Sequence, residues 1–94
     1  GAAVQAAAAG HVVYAGGQLP GFGNLVLVKH ANGWVTAYGH LGRIQVRMRE
    51  EVAQGQVIGI ARGAGPTEIY FEVRYAATPQ ERAQPVNPDW VLAR

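Results

Sequence analysis

From Thr67 to Arg74 the side chains Glu68, Tyr70, Glu72 and Arg74 interleave with Ile69, Phe71 and Val73. A period of two is the signature of a strand with one polar and one apolar face. The same period divides Trp34 to Leu41 into Trp34, Thr36, Tyr38, His40 and Val35, Ala37, Gly39, Leu41. No stretch sustains a helical period, so the chain is restricted to strands and turns. Thirteen glycines and five prolines in 94 residues supply those turns. At 49% hydrophobic residues there is enough apolar material for one modest core in a single domain, residues 1–94.

The remaining segments fit this reading. Val12-Val13-Tyr14 is a short strand closed by Gly16-Gly17, and Gln18 to Gly23 is a loop. Asn24 to His30 is a strong strand with an unbroken apolar run, Leu25 to Val28. Ala31-Asn32-Gly33 is a tight turn that favours a hairpin into Trp34 to Leu41. Ile44 to Val46 is a short extended piece, Glu50 to Gly55 a turn, and Gln56 to Ala61 a buried strand. Arg62 to Pro66 and Thr78 to Ala83 are loops, and Asn87 to Leu92 starts one helical turn with Pro88 at its first position. The expected fold is all-β: a compact antiparallel β-sandwich or barrel of about six to eight short strands.

Composition removes several function classes. The formal charge is +2, and among the scattered arginines only Arg43, Arg47 and Arg49 lie close together. No basic stripe is interleaved with aromatics, which argues against a nucleic-acid partner. Without cysteine there is no disulfide, thiolate metal site or Cys nucleophile; without serine there is no Ser triad. Glu68 and Glu72 share a strand face but stand roughly 13 Å apart, too far for a glycosidase carboxylate pair. No apolar run reaches the length of a membrane span.

The histidines differ in prospect. His11 reads as a surface residue, and His30 as a hydrogen-bonding imidazole that holds the hairpin corner. His40 shares a face with Tyr38 and Thr36 and follows Gly39, whose missing side chain lets another strand approach. An imidazole there is a candidate proton shuttle or oxyanion stabiliser.

Taken in order, the motifs form a recognisable series. They are Gly10-x-Val12-Val13-Tyr14-Ala15-Gly16, Gly23-Asn24, His30-x-Asn32-Gly33, Thr36-x-Tyr38-Gly39-His40-Leu41, Val52-x-x-Gly55-Gln56-x-Ile58-Gly59, and Gly65-Pro66 before Phe71-Glu72-Val73-Arg74. With the closing Pro85-Val86-Asn87-Pro88, the series resembles the LytM/lysostaphin-type metallopeptidase domain over nearly the whole chain. Active members are zinc endopeptidases that cut peptidoglycan cross-links. They carry an upstream His-x-x-x-Asp, a Tyr-x-His strand and a final His-x-His strand. Zinc is held by the upstream His, the Asp and the second His of the last pair. The resemblance makes His40 the retained catalytic-type residue. It places Glu68 at the first His of the final pair and Tyr70 at the zinc-binding His. The upstream His and Asp have no counterpart, because the chain begins after the point where they would fall.

The resemblance therefore implies a degenerate member with no metal and no cofactor. A catalytic zinc needs three protein ligands, and a phenol with a pKa near 10 is a poor one at neutral pH. The expected role is regulatory: a domain of a longer exported protein, in the periplasm or another extracytoplasmic layer of a bacterial envelope. It activates a cell-wall amidase or acts as an envelope scaffold, with peptidoglycan as a further candidate ligand. The expected binding groove comprises Tyr38, His40, Glu68, Tyr70 and Glu72. Two alternatives are an active zinc endopeptidase with ligands supplied upstream, and a biotinyl- or lipoyl-type carrier. The carrier shares Val52-x-x-Gly55-Gln56-x-Ile58-Gly59 but needs a modified Lys at a hairpin tip, and Lys29 is the single Lys.

Overall fold

The unbroken apolar run at residues 25–28 becomes the centre of the sheet. The computed structural model describes residues 1–63, 69–75 and 84–85. In it the run lies in β3 (Asn24–His30), between β2 (Gly10–Gly16) and β4 (Trp34–Ile44). Val26 and Val28 point into the core, while Leu25 and Leu27 cover the opposite face. Both faces of β3 thus carry apolar side chains, one set in the core and one on the opposite side, which is why its sequence does not alternate.

The other described strands are β1 (Ala3–Gln5), β5 (Glu51–Val52), β6 (Val57–Ala61), β7 (Tyr70–Tyr75) and β8 (Gln84–Pro85). They form one antiparallel sheet in the order β1-β6-β4-β3-β2-β5, with β7 paired to β4 and β8 to β7. The sheet curls into a half-barrel, as the all-β expectation requires. Strand β4 is the spine. Its first half pairs with β7, from Trp34↔Tyr75 to Gly39↔Tyr70, and its last residues pair with β6, from Leu41↔Ala61 onward.

The alternation reading leaves out β1 and β5, and it ends β4 at Leu41 rather than Ile44. β1 is three residues in an alanine-rich stretch, with Val4 alone carrying a large apolar side chain into the core. It is held by position: Ala61 N–H donates to Ala2 O (2.8 Å), and Ala6 N–H to Gln56 O (2.8 Å). β5 is two residues inside the expected turn. The expected tight turn at residues 31–33 is a single 3-10 turn, with Gly33 at φ 83. The expected loops at 64–66 and 78–83, the helical turn at 87–92, and Glu68 lie outside the described residues.

One irregularity in β4 bears on which side chains reach the surface. Tyr38 and Leu41 are both fully buried, although three residues apart on one strand. Regular alternation would put them on opposite faces. The pairing resolves this: Tyr38 faces Val26 and Leu41 faces Asn24, so three steps on β4 match two on β3. β4 therefore contains a β-bulge, and His40 carries the positive φ of 57. The Asn24 side-chain amide donates to Leu41 O (3.0 Å), satisfying a carbonyl beside the bulge.

Candidate binding groove

The face of the sheet opposite the core carries a groove of about 220 Å³. Its floor is Leu25 and Leu27 of β3 with Val35 and Ala37 of β4. Leu19 and Phe22 from the loop before β3 form one wall, and Tyr70, Glu72 and Arg74 of β7 form the other. The register explains the second wall. Tyr70, Glu72 and Arg74 oppose Gly39, Ala37 and Val35, so all six share a face. Phe71, between them, points into the core against Tyr38, with ring centroids 5.3 Å apart.

At one end Tyr70 packs edge-on to Phe22 (centroids 5.4 Å, 63°) and faces His40 (6.3 Å, 85°). The bulge brings His40 to this place. Without the extra residue, the imidazole would follow Tyr38 onto the core face. A hydrogen bond from the His40 backbone N–H to Phe22 O (2.8 Å) ties the bulge to the loop wall. Gly39 provides the room, as its sequence position suggested. A Cβ there would lie 3.1 Å from Tyr70 Cβ and 3.4 Å from Phe22 O. At the other end Arg74 Nε donates to Glu72 Oε2 (3.1 Å). The Arg74 side chain is 60% exposed against 17% for Glu72, so water screens the pair and it contributes at most about 1 kcal/mol.

Of the five expected groove residues, Tyr70 and Glu72 line the groove and His40 adjoins it against Tyr70. Glu68 lies outside the described residues. Tyr38 is a correction: it is 0% exposed and belongs to the core. The sequence pairs Tyr38 with His40 by alternation, and the bulge separates them. Its hydroxyl is part of a hydrogen-bond chain. His30 Nδ1–H donates to Ala9 O (2.8 Å), which can only accept, so in the neutral ring Nε2 accepts from Thr36 Oγ1–H (2.7 Å). Thr36 then accepts from the Tyr38 hydroxyl (2.7 Å), which in turn accepts from Ala7 N–H (3.0 Å). His30 thus holds the hairpin corner, as its position suggested, and the chain pins the segment between β1 and β2. Burial raises the Tyr38 phenol pKa above 10.0, against the opposing pull of the bonds to Ala7 and Thr36.

The sequence reading missed the apolar part of the groove: Leu19, Phe22, Leu25, Leu27, Val35 and Ala37. A signal existed in the run at residues 25–28, since a strand apolar on both faces needs a second covered or binding surface. As for a metal, among the described residues this end of the groove brings together one imidazole and one phenol. No group of three His, Cys, Asp or Glu side chains converges among the described residues. His40 and Tyr70 alone do not make the three-ligand set of a catalytic zinc.

Comparison with known proteins adds to this geometry. The family model for Peptidase family M23 matches residues 1–88. The chain is 50% identical over 97 aligned residues to the cell division protein DipM of Caulobacter vibrioides, covering 100% of this chain and 16% of that protein. It is 40% identical over 90 residues to the murein hydrolase activator NlpD of Escherichia coli, covering 94% of this chain and 22% of that protein. The chain therefore spans less than a quarter of the length of these curated relatives. Among solved structures, the catalytic domain of the antimicrobial peptidase lysostaphin from Staphylococcus simulans superposes with a TM-score of 0.75. It is 27% identical, over 89% of this chain and 66% of that one.

Proposed function

This chain belongs to peptidase family M23, and we propose that within it the chain is a non-catalytic member of the bacterial cell envelope that binds a cell-wall amidase through its groove and raises the amidase's activity. One observation carries the reading. Tyr70 occupies the position that the lysostaphin-type resemblance assigns to a zinc-binding histidine, and its ring packs on Phe22 beside His40. A phenol binds zinc well only after losing its proton, so this position favours packing over coordination. An apolar floor with an aromatic end suits the apolar stripe of a protein segment better than a hydrated glycan. The name of the 40% identical relative, a murein hydrolase activator, supports the same role.

The carrier alternative loses its anchor. Lys29 stands within β3, paired to His11 on one side and Val35 on the other, not at a hairpin tip.

The test is amidase turnover of purified peptidoglycan with and without the intact protein. Stimulation is expected, with Tyr70→Ala reducing it at least severalfold by opening the aromatic end. Metal analysis of the same preparation is expected to give well under one zinc per chain. Stoichiometric zinc, together with peptidoglycan cleavage in the absence of any amidase, would overturn the reading in favour of an active endopeptidase.

A further inference from the structure

We propose that the groove is graded along its strands, and that the segment it takes carries an acidic side chain about one helical turn beyond its last apolar anchor. This rests on the reading of the groove as an amidase-docking site.

The gradient comes from the register. Arg74 opposes Val35, Val35 opposes Lys29, Lys29 opposes His11, and His11 opposes Glu51. Directly opposed residues share a face, so this row crosses five strands on the groove side. The next row is Glu72, Ala37, Leu27 and Tyr14, and beyond it Tyr70 opposes Gly39. Rows two residues apart are separated by roughly 6.7 Å. The groove thus passes from the aromatic end at Tyr70, over the floor of Ala37 and Leu27, to a row where Arg74 and Lys29 flank Val35.

Arg74 and Lys29 stand two strands apart, roughly 10 Å, and both are exposed. Lys29 makes no ion pair among the described residues. Arg74 uses Nε on Glu72, which leaves its other four N–H donors for a ligand. Glu51 is the acid of this row, but it lies two strands beyond Lys29 at the far side of His11. At the opposite end Arg62, near Gly23 and His40, is engaged within the protein.

An occupant that buries apolar side chains over Leu27 and Ala37 brings its next turn, 5.4 Å on, over the Lys29–Arg74 row. A carboxylate there meets the Lys29 ammonium and the remaining guanidinium donors of Arg74, whose Nε stays on Glu72. A lysine would instead meet the like charge of Lys29, and an apolar group would desolvate it without compensation. The apolar floor favours a protein segment over the peptidoglycan strand, whose stem peptides also carry carboxylates.

Two synthetic amphipathic helices, identical except for Glu or Lys one turn past the apolar stripe, are titrated against the isotope-labelled intact protein. The Glu peptide is expected to bind roughly three- to tenfold tighter, with the gap closing in about 0.5 M salt. Lys29→Glu, an exposed position whose folding circular dichroism verifies, is expected to abolish or invert the preference. Tyr70→Ala is expected to weaken both peptides. Equal affinities, binding of neither peptide, or a preference that survives Lys29→Glu would each overturn the proposal. So would purified peptidoglycan shifting the Lys29 and Arg74 signals where the peptides do not. Amidase stimulation separates the two ideas. If it is lost in Tyr70→Ala but kept in Lys29→Glu, the graded groove fails and the docking reading stands. If wild type gives none, the docking reading fails whatever the peptides do.

Discussion

Tyr38 and Tyr70 are both tyrosines on facing strands, yet their chemistry differs because one is inside and the other outside. Removing the Tyr38 hydroxyl with Tyr38→Phe leaves the Ala7 N–H without its acceptor and Thr36 without its donor. We expect a loss of about 1–3 kcal/mol in urea unfolding, with the groove's ligand affinity unchanged. The buried phenol also contributes to the loss of stability at alkaline pH. Its folded pKa is raised above 10.0, so its stabilising contribution is complete below pH 10 and is lost as pH rises from there through the folded value. Tyr38→Phe should flatten that alkaline limb, read as Tm against pH. At Gly39 the expectation is reversed. Gly39→Ala drives a Cβ to 3.1 Å from Tyr70 Cβ, so Tyr70 must shift on Phe22, and peptide or amidase binding should fall more than stability does.

Among the elements, two departures from regular strand and turn geometry organise the molecule. The bulge in β4 turns His40 toward Tyr70 and keeps Tyr38 and Leu41 in the core. The turn from Arg47 to Glu50 is closed by Glu50 N–H donating to Arg47 O (3.2 Å), with Arg49 at φ 73. That position favours glycine, and an L side chain there costs about 1–2 kcal/mol. Arg49→Gly gains by relief of that strain and loses some to the freer unfolded chain. A net rise of about 3–5 °C in Tm is expected by calorimetry; a fall would show that the Arg49 side chain stabilises the turn. Strand β7 and most of β4 are legible from alternation, β3 from its apolar run at residues 25–28, and the hairpin joining β3 to β4 from Asn-Gly chemistry. β1 and β5 are not, because neither has enough residues for a period, and each exists only because a neighbouring strand offers a free edge.

For the molecule as a unit, the half-barrel has one face given to the core and the other to a groove with an aromatic end and a cationic end. Amidase stimulation and zinc content test that surface in full, and the peptide pair tests its gradient. Family membership and the all-β class are readable in the chain, since both rest on local order: glycines at turns, strand periods, and the spacing of Thr36-x-Tyr38-Gly39-His40. That Tyr70 stands where the lysostaphin-type resemblance places a zinc histidine, as we propose, rests on residue order in the same way. Which tyrosine reaches the groove is not readable from that order. Residue order is enough to establish the identity and period of the longer strands. The choice of which face turns inward belongs to the folded sheet, because one extra residue in β4 reverses the alternation, and that residue is visible only in the pairing with β3.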